Sequence, residues 1–247
     1  MKKHIPNIIT CCNLICGCIA TYCAFYQSYT VAFLFILLGA FFDFFDGMTA
    51  RALGVSDSLG LQLDSLADCV TFGVAPSAML FALFNHVAYP SLMANEVWFT
   101  VMPFTAFIMA AFSALRLAKF NLDTRQSDSF IGLPTPANAL FWIGLTFVCR
   151  LESVHSWLCF LNNEVFGCIW LAVILCSCFL LISEIPMFSL KLKKGHNGFA
   201  ENKARYIFLA ITAIILVAGI CMGLGYLAAT PALIILLYIL LSITIKK

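Results

Sequence analysis

The chain has 247 residues, 62% of them hydrophobic and only 11% charged, with a formal net charge of +2 and a mean hydropathy of +0.99. Soluble domains carry about 25% charged residues, so this composition excludes one, and with no long basic run there is no footprint for nucleic acid. The expected fold class is all-α: a polytopic membrane helix bundle, with residues 1–247 forming a single integral membrane domain.

About 20 mostly apolar residues cross a bilayer, and eight such stretches can be drawn, at roughly 7–26, 30–50, 60–84, 97–119, 134–152, 164–184, 204–225 and 229–245. With the N-terminus placed in the cytoplasm, the inner segments hold Lys2, Lys3, Arg51, Arg116, Lys119, Arg125, Lys191, Lys193, Lys194, Lys203, Arg205, Lys246 and Lys247, and the outer loops hold only Arg150. Basic residues concentrate on the cytoplasmic side, so both termini are expected there. Met1-Lys2-Lys3 before an apolar run imitates a signal peptide, but no small-x-small cleavage site follows. Pro6, Asn7, Thr10 and Asn13 also interrupt the run, and a retained first helix is expected, its polar residues near the cytoplasmic end.

The second stretch ends in Asp43-Phe44-Phe45-Asp46-Gly47-Met48-Thr49-Ala50-Arg51, and the third opens with Gly60, Asp64 and Asp68. Residues three or four apart share a helix face, so Asp43 and Asp46 project together from one helix, and Asp64 and Asp68 from the next. Gly54 and Gly60 are the breakers that turn the chain back between them. Converging carboxylates repel unless a cation lies among them, and hard oxygen ligands suit Mg²⁺, Mn²⁺ or Ca²⁺. Ionisable residues inside membrane segments are costly and point to function. Further along the third helix, Pro76 is expected to produce a kink.

The fourth stretch ends in Arg116-Leu117-Ala118-Lys119-Phe120-Asn121, placed to reach the same cytoplasmic cavity as the acids, and Gly132-Leu133-Pro134-Thr135-Pro136-Ala137 follows a short loop. The four histidines are scattered without partners, so no catalytic triad is expected. Twelve cysteines have no histidine at zinc-ligand spacing and read as small packing residues.

The spacing D-x2-D-G-x2-A-R-x8-G-x3-D-x3-D, running from Asp43 to Asp68, resembles the signature of the CDP-alcohol phosphotransferase family at every fixed position. The phrases at 116–121 and 132–137 further resemble its branch of bacterial membrane-embedded phosphatidylserine synthases. The resemblance covers roughly residues 5–140, the expected catalytic helices, with 141–247 as additional transmembrane helices. It implies transfer of a phosphatidyl group from CDP-diacylglycerol to L-serine, giving phosphatidylserine and CMP, in the bacterial inner membrane. It also implies one or, more fittingly, two divalent ions, Mg²⁺ or Mn²⁺, and a homodimer.

Carried over by position, Asp43, Asp46, Asp64 and Asp68 would bind metal, and Asp68 would also act as the base for the serine hydroxyl. Gly47, Arg51 and Gly60 would line the CDP moiety, with Asn7 and Thr10 matching more loosely. Arg116, Lys119 and Asn121 would receive the acceptor, whose carboxylate needs a cation. Two alternatives stay open. One is the same chemistry with glycerol 3-phosphate or an inositol phosphate as acceptor, which calls for a denser basic cluster. The other is a transporter, which places its ion sites at mid-membrane within internal repeats; no repeat is evident and the acids lie at one edge.

Overall fold

The computed structural model describes residues 4–55, 58–87, 101–123, 130–151, 154, 163–187 and 198–244. Lys2, Lys3, Asp57, Glu96, Arg125, His155, Lys191, Lys193, Lys194, His196, Lys246 and Lys247 lie outside the described residues, as does the side chain of Lys203.

The described chain is helical almost throughout. In order it forms α1 (His4–Phe25), α2 (Tyr29–Leu53), α3 (Ser58–Asp68), α4 (Ala75–Val87), α5 (Ala106–Leu122), α6 (Thr135–Arg150), α7 (Asn163–Ile182), α8 (Gly198–Met222) and α9 (Leu224–Thr244). A widened π turn, Cys69–Val74, joins α3 to α4, and a single 3₁₀ turn, Met102–Thr105, precedes α5. Among the described residues, six helical stretches have the length and hydropathy to cross a membrane: His4–Phe25, Tyr29–Leu53, Ser58–Asn85, Met102–Leu122, Arg205–Met222 and Leu224–Thr244. Every stretch expected to be apolar contains a helix, but the expected eight spans are not reached by this measure. Helix α6 has 16 residues, which at a rise of 1.5 Å per residue covers about 24 Å of a hydrocarbon core about 30 Å thick. The apolar part of α7, Gly167–Ile182, is likewise short.

The packing is that of a protein solvated by lipid. Large apolar side chains such as Phe44, Phe179 and Ile214 point outward, while Ala20, Ala24, Ala32, Ala75 and Ala78 are fully enclosed. Association in lipid has no hydrophobic drive, so helices gain by close approach across small residues. Gly144 of α6 lies so near the Ala232 backbone of α9 that a Cβ there would collide with it. Inside the bundle, Trp142 Nε1 donates to Ser177 Oγ at 2.9 Å, and Ser177 Oγ donates to Asn138 Oδ1 at 2.6 Å.

Three turns set the geometry around the acids. Helix α2 stops at Gly54, whose backbone is left-handed at φ 62°. The Gly54 and Val55 N–H groups reach back to the Arg51 and Ala50 carbonyls, the paired bonds of a Schellman stop. Gly60, expected as a second breaker, instead lies in the first turn of α3. Just before Pro76, where a kink is expected, the helix widens into the π turn, and the Ala75 N–H reaches back five residues to Val70 O. Proline cannot donate a backbone hydrogen bond and crowds the preceding turn, so the widened turn relieves it one turn in advance.

The third turn is Gly132-Leu133. The Leu133 N–H donates to Leu180 O, capping the carbonyl end of α7, and the Gly132 N–H donates to Ile185 O just beyond it, both at 2.9 Å. A two-residue antiparallel ladder, Phe130–Ile131 with Pro186–Met187, continues the contact. Gly132 has φ +76°, and a Cβ there would stand 2.8 Å from Ser183 O and 2.9 Å from Leu181 O. Gly132→Ala is therefore expected to lower stability by about 2–3 kcal/mol, through left-handed strain plus carbonyl collision. Gly54→Ala, with no atom within 4 Å of the new Cβ, should cost only the strain, about 1 kcal/mol. Thermal denaturation of the detergent-solubilised protein checks this; equal losses at both positions would mean that the collision contributes nothing.

Candidate active site

Helix α2 delivers Asp43 and Asp46, and α3 delivers Asp64 and Asp68, as helical periodicity requires once the chain reverses at Gly54. One carboxylate oxygen each from Asp43, Asp64 and Asp68 lies within 4.8 Å of the others. Asp43 and Asp64 are within hydrogen-bonding reach of one another. Asp64 Oδ1 is buried and finds no hydrogen-bond donor among the described residues. An acceptor-only group shielded from water is costly without a positive partner. Three carboxylates so placed, one of them with an unpartnered buried oxygen, suit a hard divalent cation in both chemistry and spacing.

Asp46 stands beside this trio rather than in it. It is buried at 6% exposure, and its Oδ2 accepts a 2.6 Å bond from Thr10 Oγ1 of α1, the short length of a charge-assisted contact. Asp68 is similarly held from α1: Asn13 Nδ2 donates to its Oδ1 at 3.1 Å. The first helix thus supplies one polar contact to an acid of each pair. Thr10 was legible in the sequence as a site residue. Asn13 was visible only as a polar residue in an apolar helix, three positions after Thr10 and hence on the same face.

A cavity of about 470 Å³ opens beside the acids, lined by Asn7, Thr10, Asp46, Gly47, Arg51, Gly60 and Asp64 among others. All five residues expected to contact the CDP moiety lie on its wall. A Cβ on Gly47 would find only the Arg51 guanidinium nitrogens, at 4.0 Å, so the glycine leaves the space in front of Arg51 open. A guanidinium presents a planar fork of donors that matches phosphate oxygens. The wall therefore carries Asp46 and Asp64, one acid from each pair, together with the Arg51 guanidinium.

The three residues expected to hold an acceptor are not placed together in that cavity. Arg116 and Lys119 line a second one, about 270 Å³, with Phe120, Asp123, Ser183 and Glu184. Asn121 lines neither and donates from Nδ2 to Ser65 Oγ at 2.8 Å, tying α5 to α3. The reason is helical geometry. Lys119 is three residues from Arg116 and shares its face, whereas Asn121 is five residues away and turns about 140° from it. Arg116 is buried at 7% exposure. Its Nε donates to Leu133 O at 3.1 Å, its guanidinium lies 5.2 Å from the Phe120 ring centroid, and its charge is near enough to Asp68 to interact with it. Arg116 thus lines the second cavity, anchored through Leu133 by the turn at the end of α7. Glu184 and Asp123 went unnoticed in the sequence because nothing there brings the end of α7 beside the end of α5.

Comparison with known proteins agrees with this geometry. The family model for CDP-alcohol phosphatidyltransferases matches residues 3–177. The chain is 38% identical over 149 residues to the CDP-diacylglycerol–serine O-phosphatidyltransferase of Bacillus subtilis, covering 59% of this chain and 76% of that one. It is 32% identical over 218 residues to the protein of the same name from Mycobacterium leprae, covering 85% of this chain and 65% of that one. With the one from Methanocaldococcus jannaschii it shares 32% identity over 202 residues, 76% of this chain and 88% of that one. With its acid signature assembled at a cavity wall and the family match spanning well over half its length, the chain belongs to the CDP-alcohol phosphatidyltransferase family.

Proposed function

We propose that this protein transfers the phosphatidyl group of CDP-diacylglycerol to the hydroxyl of L-serine, giving phosphatidylserine and CMP. The observation that carries this reading is the convergence of Asp43, Asp64 and Asp68 within 4.8 Å beside a cavity that also holds Arg51. Two divalent cations, Mg²⁺ or Mn²⁺, held by Asp43, Asp46, Asp64 and Asp68, would neutralise the pyrophosphate and the departing CMP. Arg51 binds phosphate oxygens across the space left by Gly47, with Gly60, Asn7 and Thr10 forming the rest of the CDP wall. The lipid tails stay between helices in the bilayer. Asp68 accepts the serine hydroxyl proton as the serine oxygen bonds to phosphorus and the bond from phosphorus to the CMP oxygen breaks.

The second cavity suits the acceptor. Serine is a zwitterion, and this cavity carries both signs of charge: Arg116 and Lys119 against Asp123 and Glu184. The cations take the carboxylate and the acids face the ammonium, while Asn121 secures α5 beside the site. A phosphorylated acceptor such as glycerol 3-phosphate would be repelled by the two acids, which favours serine within this reaction class. The basic-residue distribution supports placing the acids at the cytoplasmic face of a bacterial inner membrane, with both termini inside.

Asp43→Asn and Asp64→Asn are each expected to reduce CMP release on the order of 100-fold and to weaken Mn²⁺ binding. Full turnover by either at limiting metal would remove that residue from the ligand set. Arg116→Lys keeps the charge but loses the fork. It should raise the KM for serine about tenfold, or about 1.4 kcal/mol, while leaving metal-dependent affinity for CDP-diacylglycerol unchanged. A parallel fall in donor affinity would move Arg116 to the phosphate site. Cysteines introduced at Asn85 and Lys247 should label from opposite sides of the membrane; labelling from one side would overturn the orientation.

A further inference from the structure

The most enclosed polar cluster in the described chain lies behind the acids and touches neither cavity. Asn13 and Thr71 are both fully buried. Thr71 Oγ1 lies 2.8 Å from Asn13 Oδ1 and 3.1 Å from the Asn13 carbonyl. Asn13 Nδ2 in turn donates to Asp68 Oδ1 at 3.1 Å. These contacts have one consistent direction. An ionised carboxylate only accepts, so the side of the Asn13 amide facing Asp68 is its NH₂, and its Oδ1, at 2.8 Å, is the nearer of the two acceptors for the Thr71 proton, ahead of the Asn13 carbonyl at 3.1 Å. The hydroxyl selects the amide orientation, and the amide occupies one oxygen of Asp68.

Two backbones close on Thr71 to hold this arrangement. A Cβ on Gly17 of α1 would stand 2.5 Å from Thr71 Oγ1 and 2.9 Å from Thr71 Cα. One on Gly39 of α2 would stand 2.6 Å from Thr71 Cγ2 and 2.9 Å from Asn13 Oδ1. Thr71 itself belongs to the π turn Cys69–Val74, which begins immediately after Asp68. Such turns shift the side-chain register of the helix and recur at functional sites. Here the shifted register presents the Thr71 hydroxyl to α1 three residues after the acid.

We propose that Asn13 and Thr71 are positioning residues for Asp68: a buried hydroxyl-to-amide relay that engages Oδ1 and so fixes the orientation of the carboxylate in the acid cluster. Neither residue touches substrate. The metal and base roles of Asp68 rest on the function proposed above; the relay does not depend on which alcohol is the acceptor.

Thr71→Val and Thr71→Ser separate hydrogen bonding from packing, because valine keeps the shape and loses the hydroxyl, whereas serine keeps the hydroxyl and loses the methyl against Gly39. Both full-length proteins are purified in detergent. Mn²⁺ binding is titrated by electron paramagnetic resonance without substrates, and kcat and KM for CMP release are measured with CDP-diacylglycerol and serine. Outer groups that orient metal ligands are worth about 10–100-fold in affinity or activity. Thr71→Val is expected to weaken Mn²⁺ binding and lower kcat by about tenfold, with the serine KM within about twofold of the parent protein. Thr71→Ser should restore both to within about threefold. A near-normal valine variant with an impaired serine variant, or equal impairment of both with lowered thermal midpoints, would overturn the relay in favour of packing. If the parent protein releases no CMP with serine, the proposed reaction fails, and the Mn²⁺ titration alone still decides the relay by the same contrast.

Discussion

Four carboxylates brought to one place inside an apolar helix bundle are the constraint on which the rest of this structure depends. Like charges at such separations repel, and each charge removed from water carries a desolvation cost. The fold bears that cost only because the surroundings offer compensation: Thr10 on Asp46, Asn13 on Asp68, Arg116 near Asp68, and a spacing among Asp43, Asp64 and Asp68 that admits a cation. The first helix makes two of these contacts. It is part of the site although it carries none of the acids.

Close backbone approach makes the compensation possible. Gly17 and Gly39 let α1 and α2 close on the π turn until Thr71 and Asn13 meet. In lipid, where helices gain little by hiding apolar surface, such contacts and the hydrogen bonds they permit are the main source of specificity. The acids and their supports are therefore one packed object, and a methyl group added at either glycine would act on the chemistry as well as on the fold.

The second cavity shows how a distant part of the chain enters the site. Arg116 is oriented by the Leu133 carbonyl, and Leu133 is fixed because its N–H caps the end of α7 while the Gly132 N–H bonds Ile185 O just beyond. The phrase Gly132-Leu133-Pro134 thus clamps an arginine sixteen residues before it, and the same clamp brings Glu184 beside Lys119. Beyond residue 141, the end of α7 and the residues just after it line this second cavity through Leu181, Ile182, Ser183 and Glu184.

Much of this was determined by the sequence alone. Hydropathy requires a membrane bundle, because only helices or closed barrels satisfy the backbone in lipid. The period of the helix requires Asp43 with Asp46, and Asp64 with Asp68, to share faces. The signature spacing identifies the family. These properties are local and periodic, so they can be read from residues close together in the chain. Tertiary structure decided what depends on contacts between distant segments. It set Asp46 apart from the tightest trio, tied Asn121 to Ser65 of α3, and brought Glu184 into the second cavity. It also joined Thr71 to Asp68 through Asn13, a residue 55 positions before the acid it holds. No spacing rule within one helix relates such residues; they meet only when glycines and a widened turn let three helices close together.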